Sequence, residues 1–294
     1  MHSESQSKSP RESTPESTRV ALITGGSSGL GLAIAHAFVR SGYRVVIAGR
    51  TETRLESAAI ELRRHTKSDN WVTTIAADAS RDEDVTKMMD EIQATLRRLD
   101  VLINCAGASD RGLIENLQAD RLEALIRQNV ITALLCSQAA TPMLEQQSGV
   151  IVNIGSLAGK VGARYIGGYA AAKHALTGMT QQMRLELRSR GIHVALVSPG
   201  PIRRTDEGNR YRAMVDESLP EQASAPGGGT RIKGLDPAAV AAAVLRCVER
   251  RSPDVILPGH LRVLVAIGHL IPRLGDWLLL KFTSTKHDAS KPQE

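Results

Sequence analysis

Tyr169 and Lys173 stand four residues apart, thirteen residues after Ser156, and far downstream of the glycine-rich run Thr24-Gly25-Gly26-Ser27-Ser28-Gly29-Leu30-Gly31. On a helix, positions four apart share a face, so the phenol and the ammonium would meet. A phenol with its ordinary pKa of about 10 is a poor base at neutral pH. A neighbouring ammonium favours the phenolate and lowers that value. Such a pair can exchange a proton with an alcohol or carbonyl oxygen, and the Ser156 hydroxyl can hydrogen-bond the same oxygen. Taken alone, Tyr-x3-Lys is a common surface pair. With Ser156 upstream and a glycine turn near the start of the chain, it points to proton transfer accompanying hydride chemistry.

The glycine run supplies the other half of that chemistry. A dinucleotide carries a pyrophosphate, which is well placed at a helix N-terminus where free N–H groups and the helix dipole face it. Side chains would block the approach. Gly25, Gly29 and Gly31, with Ser27, Ser28 and Leu30 between them, form the pattern needed between a strand and a helix. Arg50 follows the second strand in Ala48-Gly49-Arg50, where an NAD-preferring site carries an acid for the ribose 2′-hydroxyl. Arg50, assisted by Arg54, could instead pair with a 2′-phosphate, so the expected cofactor is NADP(H). The plainer reading is an arginine capping a surface strand. Asp78 ends the third strand, where its carboxylate could accept from the adenine amino group or cap the next helix. Asn104 and Gly107 end the fourth strand beside the cofactor path.

The elements that must position these groups are readable in outline. Apolar runs at Val20–Thr24, Arg44–Ala48, Trp71–Ala76, Val101–Asn104, Val150–Ile154, His193–Ser198 and Asp254–Leu257 read as seven strands. Helical patterns fill the intervals at Leu30–Arg40, Thr51–Thr66, Arg81–Arg97, Ala119–Ala140, Tyr169–Arg190 and from Asp236-Pro237 to about Arg251. Strands alternating with helices predict an α/β chain: a doubly wound, Rossmann-like parallel sheet of about seven strands in three α/β/α layers. The cofactor would sit at the carboxyl ends of the strands, near the topological switch point. Residues 201–234 have poor periodicity and read as a lid or binding loop.

Composition agrees with that architecture. The 294 residues are 42% hydrophobic but only 3% aromatic. The core must therefore be Ala, Val, Ile and Leu, as suits parallel strands buried on both faces. Cys105, Cys136 and Cys247 are odd in number and widely spaced, with no metal-ligand spacing and no disulfide framework. A reducing, cytoplasmic compartment follows. The net charge is +6, and the stretch Arg231 to Lys281 holds eight Lys or Arg against four Asp or Glu. No basic run is interleaved with aromatics, so nucleic acid is not an expected partner.

Residues 1–18 lack any apolar run and read as a disordered tail rather than a secretory signal. The main domain is expected over 19–258. Beyond it, 259–294 forms an apolar appendage that Pro272 should split into two short helices. The run Val263 to Pro272 is too short to span a bilayer, which takes about 20 apolar residues. It could contact a membrane surface through 259–282, which would make the enzyme membrane-associated. Packing against protein ranks ahead of this. Leu122, Leu125, Ile126, Met179 and Met183 are candidates for contact with a partner chain.

The sequence resembles the short-chain dehydrogenase/reductase family, in its compact single-domain branch, over roughly residues 19–258. The glycine run matches that family's cofactor turn. Asn104-Cys105-Ala106-Gly107 is similar to its Asn-Asn-Ala-Gly motif, and Pro199-Gly200 to its proline-glycine turn beside the nicotinamide. Asn129, Ser156, Tyr169 and Lys173 fall where the family carries its catalytic tetrad. The resemblance implies Tyr169 as general acid in reduction and base in oxidation, Lys173 as a holder of the nicotinamide ribose, Ser156 as the group orienting the carbonyl, and Asn129 as support for a proton-relaying water. Ile202 would lie near the carboxamide. It also implies pairing of the Ala119–Ala140 and Tyr169–Arg190 helices in a homodimer or homotetramer. Two departures stand out. Cys105 replaces an amide, and Arg204 stands five residues beyond Pro199, where the family often has threonine. Arg203 and Arg204 could face the cofactor phosphates or an anionic substrate. The expected activity interconverts a small-molecule ketone or aldehyde and an alcohol. The rival reading is a cofactor-binding sensor or scaffold without turnover. Apolar ketones, 3-ketoacyl thioesters and steroid-like or sphingoid-like ketones all suit the small apolar segment after Ser156.

Overall fold

Alternate residues of each central strand enter opposite cores, which is why these runs are apolar throughout rather than alternating. The computed structural model of the protein describes residues 18–66, 68–203, 215, 219–228 and 233–283. Seven strands, β1 (Val20–Thr24), β2 (Arg44–Gly49), β3 (Val72–Ala76), β4 (Val101–Asn104), β5 (Val150–Ile154), β6 (His193–Pro199) and β7 (Asp254–Leu257), form one sheet in the order β3-β2-β1-β4-β5-β6-β7. All neighbours run parallel. On one face, Ala21, Ile23, Val45 and Ile47 pack with helices α1 (Gly29–Arg40) and α2 (Glu52–Arg63). On the other, Val20, Leu22, Val46 and Ala48 pack with α3 (Asp82–Leu96) and the later residues of a long central helix. The doubly wound α/β fold is thus the one the alternation of elements predicts.

That central helix departs from a simple cylinder. It comprises α4 (Ala119–Ile126), a π-helical turn at Arg127–Ile131, and α5 (Thr132–Gln146). The sequence pattern ends at Ala140, but the helix continues through Pro142. Pro142 and Gln138 both face solvent, so the carbonyl that loses its amide partner can bond water. Helix α6 (Tyr169–Glu186) is closed by a 3₁₀ turn at Leu187–Arg190 and by Gly191 at φ +74°. Helix α7 (Pro237–Arg250) starts at Asp236, whose carboxylate accepts from Ala238 N at 3.0 Å. It packs on the same face as α1. Of the residues expected to meet a partner chain, Leu125 is fully buried within this chain, while Met183 is half-buried against the α3–α5 core.

After β7 the chain forms α8 (Leu261–Leu270) and α9 (Pro272–Thr283). They cross closely at Gly268 and Gly275: a Cβ on Gly275 would lie 2.6 Å from Gly268 Cα. The split into two helices at Pro272 is as expected, and several large apolar side chains of the pair stay in solvent. Val263, Leu270, Ile271, Leu274, Trp277 and Leu280 are exposed, Leu270 to 81%. Among the described residues, no helix is long and apolar enough to cross a membrane. Apart from Thr18, the N-terminal tail lies outside the described residues, as do Arg204, Thr205 and residues 284–294.

Candidate active site

Strand order reverses between β1 and β4, and their carboxyl ends open into a crevice. The Thr24 hydroxyl bridges it, accepting from Cys105 N at 3.1 Å and Ala106 N at 3.2 Å. Gly25 follows at φ +69°, its N–H donating to Ala48 O at 2.8 Å. The turn then folds so tightly that a Cβ on Gly31 would lie 2.1 Å from Gly25 O. Gly29, at φ +54°, has open space where a Cβ would stand. Ser28 is the N-cap of α1, yet its side chain makes no capping bond, so the first amides of the helix are not satisfied by it. Tight backbone, open approach and uncapped amides fit a pyrophosphate, with Leu30 in the first turn.

The outer edge of the turn fits the ribose end. Ser27 Oγ lies within 3.4 Å of where a Cβ on Gly49 would stand, directly before the exposed Arg50. Ser27, Ser28, Arg54 and Ser57 line a cleft of about 290 Å³. Burial raises the Asp78 carboxyl pKa, but the Ser80 N–H and hydroxyl bonds, with the Arg50 and Arg81 charges, hold it below its ordinary value. One Asp78 oxygen takes both Ser80 bonds, at 3.0 and 2.7 Å. Asp78 does not cap α3; Arg81 holds that position.

Deeper in the crevice the polar groups are buried and tied together. Asn104 Nδ2 donates to Asn153 Oδ1 at 2.8 Å and to Ser137 Oγ at 3.0 Å, and Asn153 donates to Thr180 at 2.9 Å. This network joins β4 and β5 to α5 and α6. Asn129 sits in the π-helical turn. Its Nδ2 donates to Leu125 O and Ala108 O, each at 2.9 Å, so the side chain satisfies a carbonyl of the preceding turn. Its Oδ1 is buried with no hydrogen-bond partner among the described residues. A Cβ on Gly107 would lie 2.7 Å from that Oδ1 and 3.7 Å from Lys173 Nζ. Only a glycine lets the loop pass between these two groups.

Lys173 is 5% exposed and donates to Ile154 O at the end of β5 at 2.9 Å. Its Nζ lies 5.7 Å from the centre of the Tyr169 ring. Burial drives the Lys173 pKa down to about 8, opposed by Cys105. Burial pushes the Cys105 thiol up to about 11, opposed by Lys173. Cys105 is therefore held as the protonated thiol at neutral pH. Ser156, two residues past the end of β5, caps the short turn Leu157–Gly159, its Oγ accepting from Ala158 N at 3.1 Å. Its O–H is left to donate elsewhere. That turn rests on α6: a Cβ on Gly159 would lie 2.6 Å from Lys173 O, and Thr177 donates to Gly159 O at 3.1 Å.

Pro199 and Gly200 close the far side. Gly200 N donates to Leu257 O at 2.7 Å, and Leu157, next to Ser156, reaches within 3.2 Å of a Cβ placed on Gly200. Ile202 is half-buried and bridges to Leu235. Arg203 does not turn to the crevice; it pairs with Asp236 at 3.2 Å, the cap of α7. The π-helical turn and the bracing role of Thr24 were not readable from residue spacing. Nor were Asp110 and Arg111, whose only sequence signal is an acid beside a base in the loop after β4.

A family model described as short chain dehydrogenase matches residues 19–216. A dehydrogenase/reductase SDR family protein 7-like from Drosophila melanogaster is 30% identical over 283 residues, covering 93% of this chain and 83% of that one. Dehydrogenase/reductase SDR family member 7B from Danio rerio is 33% identical over 252 residues, covering 82% and 77%. A short-chain dehydrogenase from Streptomyces avermitilis superposes with a TM-score of 0.73 at 26% identity, covering 94% of this chain and 99% of that one.

The lowered Lys173 pKa has a testable sign. The ammonium is present below about pH 8 and lost above it, so attraction for an anionic dinucleotide should weaken as pH rises through that value. Fluorescence titration with NADPH between about pH 7 and 9.5 should show the dissociation constant rising across that range. Lys173→Met should bind more weakly and without that rise.

Proposed function

Because the chain belongs to the short-chain dehydrogenase/reductase family, we propose that it is an NADP(H)-dependent oxidoreductase interconverting a ketone or aldehyde and an alcohol. Members of this family are oxidoreductases that use nicotinamide cofactors on small molecules. The observation that carries the finer reading is the buried Lys173 ammonium, fixed to Ile154 O and 5.7 Å from the Tyr169 ring, with Asn129 Oδ1 buried across Gly107. A lysine and an amide oxygen are costly to bury without a task.

Gly25, Ser27, Ser28, Gly29, Leu30 and Gly31 hold the pyrophosphate in this reading. Arg50, helped by Ser27 and Arg54, holds the 2′-phosphate. Asp78, Asn104 and Gly107 line the path inward, and Pro199, Gly200 and Ile202 flank the nicotinamide. When bound, NADPH supplies hydride to the carbonyl carbon. Tyr169 donates its phenolic proton to the carbonyl oxygen, and Ser156 O–H hydrogen-bonds that oxygen. Lys173 holds the ribose and stabilises the phenolate left behind. Asn129 Oδ1 anchors the route by which Tyr169 regains its proton. In oxidation the same groups run in reverse. A sensor or scaffold needs no acid at Tyr169, and NADPH binding without carbonyl turnover would favour it.

The assembly proposed is a homodimer or homotetramer in the cytoplasm, paired through outer faces of α4–α6. Leu185, 74% exposed on α6, is available there while Leu125 is not. Peripheral membrane contact through 259–282 belongs to the same proposal. The exposed apolar groups of α8 and α9 stand beside Arg262, Arg273 and Lys281, with Asp276 as the acid among them.

Tyr169→Phe, assayed in a carbonyl screen with NADPH, should bind cofactor normally and lose turnover by about 10²- to 10⁴-fold. Near-normal turnover would reject the mechanism. Arg50→Ala should weaken NADPH by roughly tenfold and leave NADH unchanged; wild-type NADH binding equal to or tighter than NADPH would reject the cofactor assignment. Full-length protein should float with phosphatidylserine-containing vesicles, and a chain ending at Pro258 should not. Failure of both to float would assign the hairpin to protein packing.

A further inference from the structure

Asp110 and Arg111 are adjacent, 5% and 8% exposed, and take no part in the chemistry assigned above. Two neighbouring charged side chains buried together are costly unless each polar atom is used. Here they are used in opposite directions. Asp110 Oδ1 accepts from Arg121 Nε at 3.1 Å and Nη2 at 2.8 Å. Its Oδ2 accepts from Gly168 N at 3.3 Å, the residue before Tyr169. Gly167 lies at φ +52°, and a Cβ there would stand 2.3 Å from Asp110 Oδ2. Gly112 N donates to Tyr165 O at 3.3 Å and Gly167 N to Gly112 O at 3.0 Å, so the loop after β4 is zipped to the approach of α6.

Arg111 faces the other way. Its Nε donates to Ala223 O at 2.6 Å and its Nη2 to Ala225 O at 3.1 Å, while Nη1 returns to Asp110 O at 2.6 Å. Ala223 lies in the 3₁₀ turn Glu221–Ser224 and Ala225 directly follows it. Ala223 is fully buried in a small apolar cluster with Tyr165 and Leu219, against which Leu113 and Val215 pack. Beyond it, a Cβ on Gly228 would lie 2.5 Å from Arg164 O. One planar fork therefore seats residues 219–228 on the segment that leads into Tyr169.

We infer that Asp110 and Arg111 are positioning residues: Asp110 sets the turn that carries Tyr169, and Arg111 clamps residues 219–228 against that turn as a fixed wall on the substrate side. The wall assignment rests on the oxidoreductase reading above; the clamp does not. Arginine is required because its fork reaches two carbonyls at fixed angles, whereas lysine is a point charge that reaches one.

Hydrogen exchange followed by mass spectrometry on Arg111→Lys and Asp110→Asn tests the clamp without a substrate, and steady-state kinetics on the best carbonyl from the screen tests the wall. Arg111→Lys should lose protection in 219–228 while the strand peptides keep theirs and NADPH affinity stays within twofold. Its KM should rise about tenfold with kcat within threefold. Asp110→Asn should lose protection at 165–169 and lower kcat about tenfold with little change in KM. Unchanged protection in both variants, loss spread over the whole sheet, or a kcat loss in Arg111→Lys at unchanged KM would overturn the inference. Absence of carbonyl turnover in the wild type would overturn the function reading alone, and the exchange data would still decide the clamp.

Discussion

A parallel sheet whose crossovers leave in opposite directions from β1 has one place where two strand ends part without a helix between them. Everything functional here depends on keeping that crevice open but rigid. The Thr24 hydroxyl does so from below, taking the amides of Cys105 and Ala106 that the sheet ladder no longer pairs. With β1 and β4 pinned at that depth, Gly25 can turn back and the N-terminus of α1 meets the opening. The glycines are needed for this geometry: a side chain at Gly31 would occupy the carbonyl of Gly25 itself.

The second requirement is to hold charge and polarity in an apolar interior. The Lys173 ammonium is desolvated and donates to a strand-end carbonyl. Burying it lowers its pKa toward neutrality, which leaves it able to respond to a neighbouring phenol. The π-helical turn serves the same end. It widens the central helix at Asn129, and the side-chain amide bonds the Leu125 and Ala108 carbonyls. The amide oxygen is thereby aimed into the crevice. The Asn104–Asn153–Thr180 chain fixes the strand ends and α6 relative to each other.

The periphery follows a different logic. The α8–α9 hairpin closes on itself through two glycines and leaves Val263, Leu270, Ile271, Leu274, Trp277 and Leu280 in solvent. The loop after β4, the approach to α6 and residues 219–228 are far apart in sequence and are joined through the buried Asp110 and Arg111 rather than through the sheet.

The sequence by itself determined the elements and their order, because strand burial on both faces and helix amphipathicity leave periodic marks in any window of ten to fifteen residues. It also exposed Gly25, Ser156, Tyr169 and Lys173 as candidates, since a turn, a serine and a Tyr-x3-Lys pair are local patterns whose chemistry can be argued from residue type. Tertiary structure alone decided what those patterns touch. That Gly107 must be glycine to pass between Asn129 and Lys173 depends on three segments meeting. So does the turning of Arg203 to Asp236 rather than to the crevice. Asp110 and Arg111 read as an ordinary polar loop because their partners lie up to 114 residues away. The exposure of Leu270 and Trp277 was likewise undecidable from spacing, since an apolar stripe looks the same whether its neighbour is its own domain, another chain or a lipid surface.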